Sequence, residues 1–285
     1  MKRNDSPLKL PKEGKEARRT STQSADTVPT DLPAGLRQRF ALWRTRTQSR
    51  FALEMLRVTQ TVSTPAGRLS FVLFGKTATS RAKSVLTKQP GTIDWIDRFE
   101  PGTVFWDIGA NIGVFSLYAA RRGHARVFAF EPAAVNYFLL SANCEVNRLD
   151  IDCLLVGIGE KRGVERLEVS QFDPARSFSF RPKAGKRPSG RQAALIVSID
   201  ELVEQFGLPC PTYIKLDVPG LTEAIIAGGE RTLRRQEVRE FHIELREHSS
   251  AGRRIVQKLE AAGLVAVDRH VHGSTTDVTF VRRLP

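Results

Sequence analysis

Residues 104–120 read VFWDIGANIGVFSLYAA. The first part, VFWDIG (104–109), is an apolar run closed by an acid and a glycine, the pattern of a buried strand running into a turn. The next part, NIGVFSLYAARRG (111–123), opens a helix. The same alternation continues downstream. ARVFAFEP (125–132) reads as a second strand, AAVNYFLLSANCEVN (133–147) as a helix and DCLLVGIG (152–159) as a third strand. A hairpin and a loop then interrupt it over 164–199. SIDELVEQFG (198–207) is a short helix with a capping-box spacing from Ser198 to Glu201. TYIKLDVPG (212–220) is a fourth strand, 221–235 a helix, VREFHIEL (238–245) a fifth strand and 250–263 a helix. Residues 264–270 and 276–283 are two closing strands expected to pair antiparallel, with His270 and His272 in the turn region between them. Repeated β–α units of this kind predict an α/β fold. The expected sheet is Rossmann-like, doubly wound and mostly parallel, with an antiparallel C-terminal strand.

Upstream the pattern changes. Residues 58–75 alternate on both sides of Pro65-Ala66-Gly67, which predicts a hairpin. TIDWIDRF (92–99) reads as a short helix with Thr92 as its N-cap. Residues 36–57 place Leu36, Phe40, Trp43, Phe51 and Met55 at roughly helical spacing, a basic amphipathic helix. It packs on the next domain or, in a rival reading, contacts a membrane surface or partner. Residues 1–35 are rich in Ser, Thr, Pro, Lys and Arg and are expected to be disordered. The expected layout is a basic arm (1–35), a helix and hairpin packed on the core (36–100) and one catalytic domain (101–285).

The chain has 285 residues and a net charge of +13. Residues 1–50 carry 12 bases and 5 acids, and residues 51–100 carry 7 and 4. Residues 101–285 carry 25 and 22. Six of those bases (Arg176, Arg181, Lys183, Lys186, Arg187, Arg191) fall in the acid-free stretch 174–199. The basic character therefore belongs to an arm and one loop, which weakens a nucleic-acid reading of the charge. No apolar run approaches the roughly 20 residues of a membrane-spanning helix. The basic start lacks the apolar region of a secretory signal. Cys144, Cys153 and Cys210 form no C-x-x-C and are expected as reduced packing residues in a cytoplasmic protein.

In a sheet of this type ligands sit beyond the carboxyl ends of the strands. The first strand ends in Asp107, followed by Gly109, Asn111 and Gly113. Gly109 permits a tight turn, and Gly113 permits close helix–strand contact. A dinucleotide site would use G-x-G-x-x-G, and Asp107 would repel its pyrophosphate. The acid suits an ammonium. S-adenosylmethionine has an ammonium and a sulfonium and no phosphate. Glu131 ends the second strand 24 residues after Asp107, where an acid holds a ribose diol. Asp107 as a helix cap and Glu131 as a plain strand end are the rival assignments.

At these residues the chain resembles the FkbM-type family of S-adenosylmethionine-dependent methyltransferases. The likeness runs from about Thr103 to about Glu247. It rests on VFWDIGANIGVFSLYAA with FAFEP, on YIKLDVPG with Gly228, and on HIEL. It implies a class I methyltransferase fold, with cofactor binding by Asp107, Gly109, Asn111, Gly113 and Glu131. It also implies O-methylation of hydroxyls on sugars, glycolipids, polyketides or related metabolites. Family members often read D-V-x-G-x-E after the fourth strand. Asp217, Val218 and Gly220 match, but Thr222 stands where Glu is common and Glu223 comes one place later.

Asp217 ends the fourth strand and is the candidate base or substrate-orienting acid, with Lys215 two residues earlier as its partner. A Lys–Asp pair that only closes the sheet end is the rival assignment. Glu244 ends the fifth strand and is the second candidate acid. His242 reads as a core histidine and His248 as a solvated one. No His/Cys/Asp set has metal-ligand spacing, so no metal is expected. The 174–199 stretch is either a basic lid over the site or a solvated loop. The expected substrate is a small-molecule or glycan- or lipid-linked hydroxyl compound. An RNA methyltransferase and a non-catalytic Rossmann-like binding protein are the competing classes. Against the first, the chain lacks the N-P-P-Y or D-P-P-Y loop of amino methylases after strand four and has D-V-P-G instead.

Overall fold

The computed structural model describes residues 58–74, 77, 78, 80, 81, 84, 89–169 and 190–283. These belong to one compact unit, Met55–Pro285. The arm at 1–35, the helix expected at 36–57 and the basic residues 174–189 lie outside the described residues.

β1 (Thr59–Thr64) and β2 (Gly67–Val72) form the expected hairpin, with Thr64 opposite Gly67. α1 (Pro90–Asp97) starts two residues earlier than expected, because Pro90 opens it and Gln89 is its N-cap. Thr92 is therefore no cap; its hydroxyl lies 2.9 Å from His242 Nε2. β3 (Thr103–Ile108), α2 (Val114–Arg122), β4 (Ala125–Phe130), α3 (Ala134–Asn147) and β5 (Asp152–Leu154) follow. The strand expected over 152–159 is divided, because a tight turn (Val156 N–H to Leu154 O, 3.0 Å) ends β5. Its second half, β6 (Gly157–Ile158), joins β7 (Gly163–Val169) and β8 (Gly190–Val197) in a separate sheet of order β6-β8-β7. α4 (Ile199–Glu204) carries the expected capping box between Ser198 and Glu201.

β9 (Tyr213–Leu216) follows, then α5 (Thr222–Ala227) and α6 (Glu230–Leu233). The single helix expected over 221–235 breaks between them at Gly228-Gly229. A Cβ on Gly228 would strike the Gly159 carbonyl oxygen, so bare backbone has to pass there. β10 (Glu240–Leu245), α7 (Ser250–Ala261), β11 (Leu264–His272) and β12 (Thr275–Arg282) complete the chain. His270 and His272 lie within β11, not in the turn, which is Gly273-Ser274.

The main sheet has the order β11-β12-β10-β9-β3-β4-β5. Pairs from β5 through to β10 are parallel, and β12 is antiparallel to both neighbours. The chain steps from β3 outward to β4 and β5, then returns to β9 on the other side of β3. That switch opens a crevice at the carboxyl ends of β3, β4 and β9.

Side-chain alternation sorts the core into two layers. Trp106 and Ile108 face one layer with Ile214, Phe241 and Phe280. Phe105 faces the other with Trp95, Phe99 and Tyr213. On this second face the register lines up Asp107, Lys215, His242 and Thr279 across four strands. A polar row inside a sheet is costly unless every group is paired, and the helices supply the partners. Ser116 Oγ of α2 donates to Asp107 Oδ2 at 2.6 Å. Along β10, α1 sets Trp95 Nε1 on Glu240 (2.7 Å), Thr92 on His242 and Gln89 Nε2 on Glu244 (3.2 Å). His242 Nδ1 also lies 2.9 Å from Thr279 Oγ1, and Trp95 stacks on the imidazole at 4.7 Å. Burial pushes the His242 pKa down to about 3, so the ring stays neutral. It is a satisfied core histidine.

The hairpin is held by two asparagines of α3. Asn143 Oδ1 accepts from Val72 N–H (2.7 Å) and Asn147 Oδ1 from Ser70 N–H (2.8 Å), where a neighbouring strand would otherwise pair. Asn143 Nδ2 also donates to Ile112 O at 2.9 Å, tying the hairpin to the turn after β3. Asn143→Ala leaves a buried N–H and C=O unpaired, and we expect a stability loss of about 2–4 kcal/mol in urea unfolding. A loss below about 0.5 kcal/mol would refute this tie.

Candidate active site

The turn after β3 has left-handed backbone at alternate residues: Gly109 (φ +84), Asn111 (φ +57) and Gly113 (φ +86). Glycine and asparagine are the residues that adopt this conformation at low cost. At Gly109 space adds a second demand, since a Cβ would lie 2.5 Å from Asp217 O. At Gly113 a Cβ would strike Leu140 of α3, so this glycine serves helix–helix contact, not the helix–strand contact expected from sequence.

Glu131 fixes the turn to the end of β4. Its Oε2 accepts from Asn111 N–H and its Oε1 from Ala133 N–H, both at 2.9 Å. The side chain is 6% exposed. Burial pushes its pKa up to about 7 against the opposing pull of these N–H donors.

Lys215 is 3% exposed and sits between two carboxylates. Its Nζ lies 3.9 Å from Asp107 Oδ1 and 3.8 Å from Asp217 Oδ2, and 4.7 Å from the centre of the Phe115 ring. Asp107 is buried, and burial raises its pKa despite Lys215 and Ser116. Its Oδ1 accepts no hydrogen bond. The Asp217 side chain is 31% exposed.

Gly109, Asn111, Phe115, Glu131, Lys215 and Asp217 line one crevice. Asp107 does not. It is buried, with its Oδ1 3.9 Å from the Nζ of Lys215, which does line the crevice. Arg81 and Leu167 also line the crevice. Sequence reading missed both, because they come from outside the β–α alternation. Beyond Asp217 a second cavity of about 690 Å³ opens, with Glu244 on its wall. Asp217, Val218 and Pro219 border both spaces. Glu223 borders the cavity too, but its carboxylate is spent on Arg254, at 3.0–3.3 Å. His248 is exposed and lines neither space.

The match to known proteins falls on this same region. The family model of the methyltransferase FkbM domain covers residues 107–265, more than half of the chain. The chain belongs to the FkbM methyltransferase family. The chain is 28% identical over 133 residues to hexuronic acid methyltransferase AglP of Haloferax volcanii, covering 47% of this chain and 52% of that protein. It is 35% identical over 88 residues to 31-O-demethyl-FK506 methyltransferase FkbM of Streptomyces tacrolimicus, covering 30% and 34%. The chain thus spans about half or less of the curated relatives it matches. Among solved structures, an FkbM methyltransferase of Methylobacillus flagellatus matches with a TM-score of 0.46 and 19% identity, covering 64% of this chain and 44% of that one.

Lys215→Met would leave Asp107 buried without its cation. We expect about 3 kcal/mol of lost stability, and recovery of at least about 1 kcal/mol when Asp107→Asn is added. Urea unfolding of the two variants measures both. Additive losses would show that the pair is not coupled.

Proposed function

We propose that this chain performs S-adenosylmethionine-dependent O-methylation of a hydroxyl on a sugar or similar polar metabolite. One observation carries the reading. The crevice with the Gly109–Gly113 turn and Glu131 adjoins a larger cavity, and Asp217 stands at their shared wall.

The residues fit the cofactor. A carboxylate has about four acceptor positions. Glu131 uses two of them on backbone N–H groups and one more on Asn136 Nδ2, at the longer distance of 3.5 Å. It keeps capacity for a ribose hydroxyl, and for a second where the ribose displaces the weak amide contact. The left-handed turn brings backbone close without a side chain between. The enclosed part of the crevice is about 60 Å³, below the roughly 300 Å³ of a typical small-molecule site. A cofactor held there would extend through the open mouth of the crevice. When bound, it supplies an electrophilic methyl group.

The chain's own part is positioning and proton removal. Asp217 is exposed enough to accept a proton from an acceptor hydroxyl and pass it to water. Lys215 holds that carboxylate at the wall, 3.8 Å from its Nζ. Glu244, on the far wall of the cavity, is the second acid available to orient the acceptor. The AglP and FkbM relatives are named for hexuronic acid and for 31-O-demethyl-FK506, which supports a metabolite acceptor.

Methyl-labelled S-adenosylmethionine incubated with the protein and a cell extract should label one small or glycan-linked compound. Asp217→Asn should slow transfer about 100-fold or more while adenosylhomocysteine still binds. Absence of label from a folded, cofactor-binding protein would sink the activity. Full activity of Asp217→Asn would sink its role as base.

A further inference from the structure

The larger cavity bears five charged side chains on its wall: Asp217, Glu223, Glu244, Arg246 and Arg254. Four are already engaged. Asp217 pairs with Lys215 at 3.8 Å, Glu223 with Arg254 at 3.0 Å, and Glu244 accepts from Gln89 at 3.2 Å. Arg246 has no hydrogen-bonding or ionic side-chain partner among the described residues. Nearby arginines are used differently. Arg253 donates to the His248 carbonyl at 2.6 Å, and Arg269 pairs with Glu247 at 2.9 Å.

The backbone of Arg246 is nevertheless fixed. It is the first residue after β10. Its carbonyl accepts from Ser249 N–H at 3.0 Å and from Ser249 Oγ at 2.7 Å, within the N-cap of α7. Gly252 packs so closely that a Cβ there would strike the Arg246 carbonyl oxygen. Arg246 is thus an exposed residue on the cavity wall with a pinned backbone, two residues beyond Glu244.

We propose that Arg246 is a specificity-determining residue that receives an anionic group, carboxylate or phosphate, on the methyl acceptor. This rests on the methyltransferase reading above. The planar guanidinium fork matches either anion through paired N–H donors. Asp217 and Glu244 repel an anion elsewhere on the wall, so the charge of the acceptor is steered to Arg246 and its neutral hydroxyls toward Asp217.

The test titrates the full chain, saturated with adenosylhomocysteine, with D-glucuronate, D-glucose 6-phosphate and D-glucose. At least one anion should bind about tenfold tighter than glucose, equivalent to about 1.4 kcal/mol. The two anions separate carboxylate from phosphate recognition. Arg246→Gln should abolish the preference with adenosylhomocysteine binding unchanged, and Arg246→Lys should keep part of it. Equal binding of glucose, a preference that survives Arg246→Gln, or no binding of any of the three overturns the proposal and leaves the methyltransferase reading standing. Failure of the folded parent to bind adenosylhomocysteine would bring down both.

Discussion

An ammonium group buried to 3% exposure cannot stay charged without counter-charges close by. Lys215 has two, Asp107 on β3 and Asp217 just past the end of β9. That requirement sets where the two strands end relative to each other. Asp107 lies directly opposite Lys215 in the parallel register. The turn after β3 then passes against Asp217, so closely that residue 109 has to be glycine. Glu131 fixes the far side of the turn to β4. The crevice is the space left between these three strand ends.

The same constraint runs outward through the sheet. In the row Asp107, Lys215, His242, Thr279, burial and then the neighbouring Lys215 keep the histidine neutral, and the two hydroxyls on either side satisfy its nitrogens. α1 supplies that row with one partner, Thr92 on His242, and packs Ile93, Trp95 and Ile96 into the core. Its polar side chains, one helical turn apart, meet alternate residues of β10. The order of α1 and of the sheet centre are thus one packing problem.

Much of this was legible in the residues. The apolar runs with the Asp107–Gly113 turn predicted the parallel β–α order, and the Ser198–Glu201 spacing predicted the cap of α4, because both signals are local. What sequence missed depends on contacts between distant segments. Thr92 looked like a cap, but its hydroxyl serves His242, 150 residues away. The helix over 221–235 looked continuous, but it breaks at Gly228-Gly229, where the Gly159 backbone leaves no room for a side chain on residue 228. Asp107, expected as a cofactor ligand, is buried beside Lys215 and Ser116, an environment its place at a strand end did not reveal. Arg81, Leu167 and Arg246 carried no periodic signal, since a pocket wall is assembled by tertiary structure.

On the proposed function, the cofactor lies in the space between the Gly109–Gly113 turn, Glu131 and Asp217. A crystal structure of the chain with adenosylhomocysteine tests it most directly. The account predicts ligand density in that crevice, with a ribose hydroxyl on the Glu131 carboxylate and the sulfur facing Asp217. Ligand density at another place on the fold would contradict it.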